Sequence, residues 1–596
     1  MISKRAMCVE VIAMSVLLVL VLVIRARGAA PKADVIFVHG RIYQPVRQDG
    51  SQLDCSKLPV KLPARAGIIC KSHSYAEALA VKDGRVLAVG DTESILKLKG
   101  SHTTVIDLEG HFVLPGFNDA HLHLASGGFE KLNVDLVGTK SLREMQQRIA
   151  ERVKTSGVGE WIRGRGWDHT KWESQKLPTR EDLDAVTAGH PAIFTRVDGH
   201  ICVVNTAALE AAGINKLTPD PQGGKIDHDE HGEPTGILRE GAREAVDKVI
   251  PKVTLAERRK AIELALAEAA EWGLTSLQDN SSWQDFLVYE ELEREGKLTA
   301  RITEWLAFDD SLETLERERE HHSKNDPMLR TGMLKGFMDG SLGSRTAALL
   351  APYADDPKNS GLPQYDQMTL NHLTRERLAA GFQIGFHAIG DRGVEMALSA
   401  FEDAKAHAKE QDTGSQAGSR LRVEHAQVTT WGQIDRFAKL GVIASMQPNH
   451  LLTDMNWAMS RLGPERAATS YAWRSFLNAG VPLAFGTDYP VEPLTPFRGL
   501  YAAVTRKNEA GTKEYFPEET LTIEEAIEAY TSGAAYAEFM EKTKGKLLPG
   551  EWADLVVLDR DVTTIPAEQI LATKVLRTVV GGKTVFEAHG AKERNE

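Results

Sequence analysis

Cysteine is scarce in this sequence, with four residues in 596. There is no Cys-x-x-Cys pair and no Cys/His spacing of the zinc-finger kind. A thioredoxin-like redox motif and a small zinc-ribbon domain are therefore unsupported. Cys8 lies in the N-terminal segment. Cys202 sits in His200-Ile201-Cys202-Val203-Val204, where a buried small residue is the simplest reading. Cys55 and Cys70 fall in a Pro- and Lys-containing segment over residues 44–74. In an exported protein they either close that loop as a disulfide or stay apart, and spacing alone does not decide the geometry. Blocks of Lys or Arg are missing too, and the net charge is −12. Nucleic-acid binding, which wants a basic face, is disfavoured; the expected partner is a small molecule. No repeat of fixed period occurs, which excludes a solenoid. The chain is too long for one core and predicts two or three structural units.

The N-terminus is of a different character. Lys4 and Arg5 precede a charge-free, largely apolar run over residues 11–24. That is shorter than the about 20 residues of a membrane span and suits the core of a signal peptide. Ala26, Gly28, Ala29 and Ala30 supply small residues near a cleavage point, but Arg25 and Arg27 interrupt them. Residues 1–30 are read as a signal peptide or an uncleaved signal anchor. The expectation is export to the periplasm or the extracellular space, with membrane anchoring through the N-terminus if the segment is retained.

Short β-rich runs follow. Ala78-Leu79-Ala80-Val81 and Val86-Leu87-Ala88-Val89 flank Asp83-Gly84, a strong hairpin signal. The same texture returns at the far end, in Asp554-Leu555-Val556-Val557-Leu558 and in residues 575–586. The two ends are read as one small β-domain split by everything between them. The middle alternates helical patterns (residues 255–272, 370–380, 393–408 and 523–539) with strand-like runs. Such β–α repetition implies a parallel sheet, open or closed into a barrel. Residues 410–419 are polar and read as an exposed loop.

Several strand-like runs carry a titratable residue at or near their C-terminal end. Phe112-Val113-Leu114-Pro115-Gly116-Phe117 runs into Asn118-Asp119-Ala120-His121-Leu122-His123. In an extended segment i and i+2 point the same way, so His121 and His123 can hold one metal together. Lys335 lies within Gly332-Met333-Leu334-Lys335-Gly336-Phe337. Phe382-Gln383-Ile384-Gly385-Phe386 ends in His387, Leu421-Arg422-Val423-Glu424 in His425, and Pro482-Leu483-Ala484-Phe485-Gly486-Thr487 in Asp488. Any one of these alone reads as a capped strand end or a satisfied core histidine. Together, imidazoles and a carboxylate on one end of a sheet read as a metal site.

The set resembles the amidohydrolase superfamily, and most of all its YtcJ-like branch, which includes N-substituted formamide deformylases. Leu114-Pro115-Gly116-Phe117-Asn118-Asp119-Ala120-His121, Phe386-His387-Ala388-Ile389-Gly390-Asp391, Val423-Glu424-His425-Ala426-Gln427, Gly486-Thr487-Asp488-Tyr489-Pro490, Gly166-Trp167-Asp168 and Asp198-Gly199-His200 carry the likeness. It covers nearly all of the chain from about Asp34. It implies a (β/α)8 TIM barrel over residues 113–544, with a β-sandwich domain from residues 31–112 plus 545–596. Taking the Lys335 run as the fourth barrel strand leaves residues 130–271 as a lobe inserted after the first strand. The resemblance also implies that Lys335 is a carboxylated (N6-carbamate) bridge between divalent metals. His121 and His123 would hold one ion, and His387 and His425 the other. Two zinc ions are expected, one being the alternative within the superfamily. A metal-activated hydroxide would attack, with Asp488 as ligand and general base.

Trp167 and His200 are placed at the substrate pocket by the resemblance, and Gln447 by its position just after the seventh strand. Asp391 and Glu424 are candidates for orienting the metal histidines, or for ordinary strand-end hydrogen bonds. Asp339 and Arg345 are candidates for organising the loop after Lys335. The expected activity is hydrolysis of a non-peptide carbon–nitrogen bond in an amide, formamide or cyclic amide. A lactonase or esterase on the same site, and a non-catalytic metal-binding scaffold, are the alternatives. A homodimer and a monomer are both compatible with the sequence.

Overall fold

The computed structural model describes residues 31–45, 73–196, 201–221, 224–410 and 419–588. Residues 1–30, Cys55, Cys70 and residues 411–418 lie outside them. Among the described residues, no helix is long and apolar enough to cross a membrane.

Asp83 and Gly84 join Ala78–Lys82 to Arg85–Gly90. Both take positive φ, 49° and 74°. This is the tight turn whose twist matches that of the flanking strands, and Asp-Gly adopts it at little cost. These strands belong to a four-stranded sheet with Val35–Val38 and Thr104–Asp107. A six-stranded sheet faces it. There Leu555–Leu558 pairs antiparallel with Phe112–Pro115, so strands from the two chain ends share one sheet. Phe37, Leu79, Val81, Val113, Leu555 and Val579 fill the space between. Buried Arg301 forks onto Asp554 at 2.6 and 2.9 Å and ties this domain to the barrel.

The barrel strands are β1 (Phe117–Leu122), β2 (Leu274–Asp279), β3 (Arg301–Ala307), β4 (Leu329–Phe337), β5 (Ile384–Ala388), β6 (Arg422–His425), β7 (Ile443–Met446) and β8 (Leu483–Phe485). All lie parallel in chain order in one eight-stranded sheet. The ends meet where the Asp488 N–H donates to the His121 carbonyl and the His123 N–H to the Tyr489 carbonyl, each at 2.7 Å. Asp119 locks this seam by accepting from the Thr487 N–H at 3.0 Å and from its hydroxyl at 2.6 Å. Gly486 is required by the same approach, because a Cβ there would stand 2.5 Å from the His121 nitrogen.

Helices cover the barrel as their patterns predict. Leu255–Glu271 opens on a Thr254/Glu257 capping box and buries Ala261, Ile262, Ala265, Leu266 and Ala269. The segment read as one helix over 523–539 is divided. Ile523–Glu528 and Ala534–Ala537 flank a wide π-turn, Ala529–Gly533. At Gly533 the chain lies so close to the Leu483 carbonyl that a Cβ would be 2.4 Å away. Docking on β8 therefore overrides the regular helical repeat here.

Between β1 and β2 the chain builds a separate lobe. Its six-stranded sheet runs Gly224–His228, Pro234–Glu240, Ile201–Val204, Ala192–Arg196, Ile162–Trp167, Val134–Asp135. One face packs Met145, Ile149, Leu183 and Phe194, and the other Ile193, Leu209, Ile226 and Leu238. Cys202 is a free buried thiol in this lobe, and burial pushes it up to about 12.

Candidate metal centre

His121 is the penultimate residue of β1, and His123 follows the strand. The His123 Nδ1 lies 2.9 Å from the Asn280 carbonyl. A carbonyl has no proton to give, so Nδ1 carries the hydrogen and Nε2 presents its lone pair. The His121 Nδ1 lies 2.9 Å from Glu424 Oε2, which sets the same tautomer. Glu424 is fully buried and is held by Arg422, whose Nε donates to Oε1 at 2.8 Å. The Arg422 guanidinium also reaches the Ala120 carbonyl and the Ser445 hydroxyl.

Beyond β8, Asp488 takes φ 57°, and His425 at the end of β6 takes φ 72°. Left-handed backbone at residues other than glycine costs about 1–3 kcal/mol and is found mostly where side chains must be aimed. Here Asp488 Oδ1 is turned to 3.2 Å from His123 Nε2 and 3.5 Å from His121 Nε2. That oxygen is buried without a hydrogen-bond partner. Two imidazole lone pairs and a carboxylate lone pair thus face one point. Donors about 2.0–2.2 Å from a tetrahedral zinc stand about 3.3–3.6 Å apart. The donor set and its spacing fit a divalent cation.

Lys335, buried in β4, brings its Nζ to 3.1 Å from His121 Nε2. Burial lowers its amine to about 8, against the pull of Glu424 and Asp488. Asp488 is held well below the carboxylate range. Burial opposes this, but His121, His123 and His450 outweigh it. Burial also carries His121 and His425 well below the usual imidazole value. The His425 and His387 rings are 4.5 Å apart, and His425 Nδ1 is buried without a hydrogen-bond partner. His387 lies 3.1 Å from the Gly340 carbonyl through Nε2, which leaves Nδ1 as its free donor. Burial first, then Lys335, drives His387 down to about 4.

One residue at the site went unread in the sequence. His450 places Nε2 3.2 Å from Asp488 Oδ2. Donor atoms of His425, His450 and Asp488 lie within 4.8 Å of one another, as do those of His121, His123 and Asp488. Burial would lower His450, but Asp488 first and then Asp454 and Glu492 raise it to about 9. The strand-end rule does not reach His450, which sits on the helix Pro448–Asp454. The available signal was Gln447-Pro448-Asn449-His450, a proline-started helix directly after β7, where barrel function resides.

The remaining expected residues fall in three places. Gln447 is buried beside the site, its Nε2 3.4 Å from His121 Nδ1 and its Oε1 without a partner. It lines a small cavity with His425, Gln427, Met446, His450, Tyr471 and Trp473. Trp167 is different. Its indole N–H donates to the Phe194 carbonyl at 2.8 Å, and its ring is fully buried in the lobe core. Its ring leaves no exposed surface. His200 lies outside the described residues.

Of the neighbours, Glu424 orients His121, whereas Asp391 accepts from the Leu350 N–H at 2.8 Å and serves a loop. Asp339 lies 3.4 Å from His387 Nε2 and accepts from the Ile389, Gly390 and Ala348 N–H groups. Arg345 pairs with Asp355 in the loop after β4. Replacing Glu424 by Gln removes the charge behind His121 and is expected to weaken metal affinity about 10- to 100-fold. Zinc titration of the chelated protein against a competing indicator measures this; unchanged affinity would show that Glu424 has no orienting role.

A family model described as the amidohydrolase family matches residues 104–586. YtcJ of Bacillus subtilis (strain 168), named as an amidohydrolase, is 34% identical over 520 residues, 86% of this chain and 96% of its own. N-substituted formamide deformylase of Arthrobacter pascens is 28% identical over 536 residues, 87% of this chain and 96% of its own. A solved structure of an uncharacterized metal-dependent hydrolase from Pyrococcus horikoshii is similar over 89% of this chain and 99% of that one. Its TM-score is 0.70 at 30% identity.

Proposed function

The chain belongs to the amidohydrolase family, and from that premise we propose that it hydrolyses a non-peptide carbon–nitrogen bond in an amide, formamide or cyclic amide. The observation that carries this reading is Asp488 Oδ1, buried, without a hydrogen-bond partner and facing the lone pairs of His121 and His123. The similarity to N-substituted formamide deformylase supports the choice of bond. A bound divalent ion, with zinc the first choice, supplies Lewis acidity: it makes a water acidic near neutral pH and polarises a carbonyl.

The residues do the rest. His121, His123 and Asp488 would hold one ion and His387 and His425 a second, with a carboxylated Lys335 as the ligand they would share. An amine near 8 is about one-tenth neutral at pH 7, and the neutral form is the one that takes up carbon dioxide. Asp488, ionised and aimed, takes the proton of the attacking water and passes it to the leaving nitrogen. His450 holds the other carboxylate oxygen and so fixes which lone pair faces the reaction. Gln447 offers its unpartnered Oε1 to the substrate's N–H. The segment at residues 1–30 supports export.

The test is a panel of N-formyl, N-acyl, cyclic-amide, ester and lactone compounds with zinc-loaded enzyme and parallel metal analysis. Turnover of N-formyl or N-acyl compounds with one or two bound metals per chain is expected. Faster turnover of esters or lactones would overturn the assigned bond, and no metal with no turnover would overturn the reading whole.

A further inference from the structure

Helices Trp283–Arg294 and Leu312–His321 follow β2 and β3 and run back toward the strands' N-terminal ends. Their last turns therefore lie on the barrel face opposite His121 and Asp488. Glu290 and Glu293, three apart on the first helix, share a side. His322 caps the second helix, and Asp326 stands in the turn entering β4. These four residues come together although 36 positions separate Glu290 from Asp326.

The His322 Nδ1 is 3.0 Å from Glu290 Oε1, so that carboxylate takes the ring hydrogen. His322 Nε2 then points at Glu293 Oε2, 3.5 Å away, and Asp326 Oδ2, 3.7 Å away. Nε2 is cut off from solvent and has no hydrogen-bond partner. The other Asp326 oxygen is engaged, accepting from the Met328 N–H at 2.7 Å and the Leu329 N–H at 3.1 Å, which leaves Oδ2 for the cluster. The three donor atoms lie within 4.8 Å of one another. An imidazole backed by a carboxylate, facing two more carboxylates near zinc spacing, offers the same ligand types as the His121, His123 and Asp488 set. Phe286 flanks the ring at 5.7 Å and excludes water on that side. Three carboxylates around one imidazole leave a negative excess even when the imidazole is protonated, and burial with Asp326 alongside lifts Glu293 to about 7.

We propose that Glu293, His322 and Asp326 bind a divalent cation of the zinc class, with Glu290 orienting His322. The ion is a clip joining the second and third β/α units, remote from the catalytic centre. A water completes its coordination. Because it lies on the face that sets stability rather than catalysis, losing it should lower the melting temperature and spare turnover.

The experiment uses the full chain, chelated and then titrated with zinc, comparing wild type with Glu293→Gln and His322→Gln. Metal content per chain and thermal unfolding are read with and without zinc, and kcat/KM is read at full loading. Each variant is expected to hold one metal ion fewer than wild type, or to bind it at least about tenfold more weakly. Each should lose part of the zinc-dependent rise in Tm and keep kcat/KM within about twofold. Equal metal content and equal zinc-dependent shifts in all three proteins would overturn the proposal and leave a proton as the only occupant. Both substitutions sit at partly exposed helix ends, and either variant alone decides the point.

Discussion

Asp488→Asn is expected to lower kcat/KM about a thousandfold or more, which corresponds to about 4 kcal/mol of transition-state stabilisation. The substitution is chosen for what it preserves. Asparagine matches aspartate in shape and tolerates the left-handed backbone that this position uses, φ 57°. Its N–H can still close the barrel seam on the His121 carbonyl. What disappears is the charge on the oxygen facing His121 and His123, and with it the group that accepts the proton. The group that keeps His450 near 9 goes as well. Fold and secondary structure should be unchanged, and activity should fall far more than metal content does. Full activity in this variant would remove Asp488 from the mechanism. The pH dependence carries the same sign. Asp488 lies well below the carboxylate range and His387 near 4. Burial also holds His121 and His425 well below the usual imidazole value, so these four donors stay deprotonated across neutral pH, and their protonation displaces metal only as pH falls toward 4. Titration of His387 near 6.5, the ordinary histidine value, in the metal-free protein would contradict its assignment.

Lys335→Ala is expected to cost at least about a hundredfold in kcat/KM, because it would remove the ligand proposed to be shared by both ions. It should also reduce bound zinc by at least one ion per chain in a two-metal enzyme. The lysine side chain is enclosed between the rings of Trp305 and Phe337, each 5.1 Å from Nζ. Truncation leaves a space beside His121 large enough for a short carboxylate. Acetate or propionate should restore part of the activity if the native group is a carbamate, and should do nothing if the amine itself is what matters. Retention of both full metal content and full activity in Lys335→Ala would sink the bridging role.

The candidate metal set was legible because its members follow a simple rule. His121, His387, His425 and Asp488 sit at the C-terminal ends of apolar runs and Lys335 within one, and a parallel barrel brings those ends to one face. His450 broke the rule, arriving from the first turn of a helix, where one polar residue in an amphipathic stretch resembles any other. Glu424 was legible as a neighbour of His425, yet its partner is His121, 303 positions away. That pairing follows from strand order around the barrel. The setting of Trp167 also depends on sheet pairing. Its motif predicts importance, but the sheet pairing of Ile162–Trp167 with Ala192–Arg196 turns the ring into the lobe core.

The amino-acid sequence by itself determined the local and periodic properties of this protein. The hairpin at Asp83-Gly84, the helical stripes, the strand runs and the donor residues that end them all depend on neighbours a few positions apart. Only the tertiary structure decided which lone pairs meet. Asp488 Oδ1 opposite His123, Glu424 behind His121, and His322 against Glu293 are contacts between residues tens to hundreds of positions apart. Their distances, a few tenths of an ångström from metal-ligand spacing, depend on barrel closure and packing, which no local pattern encodes.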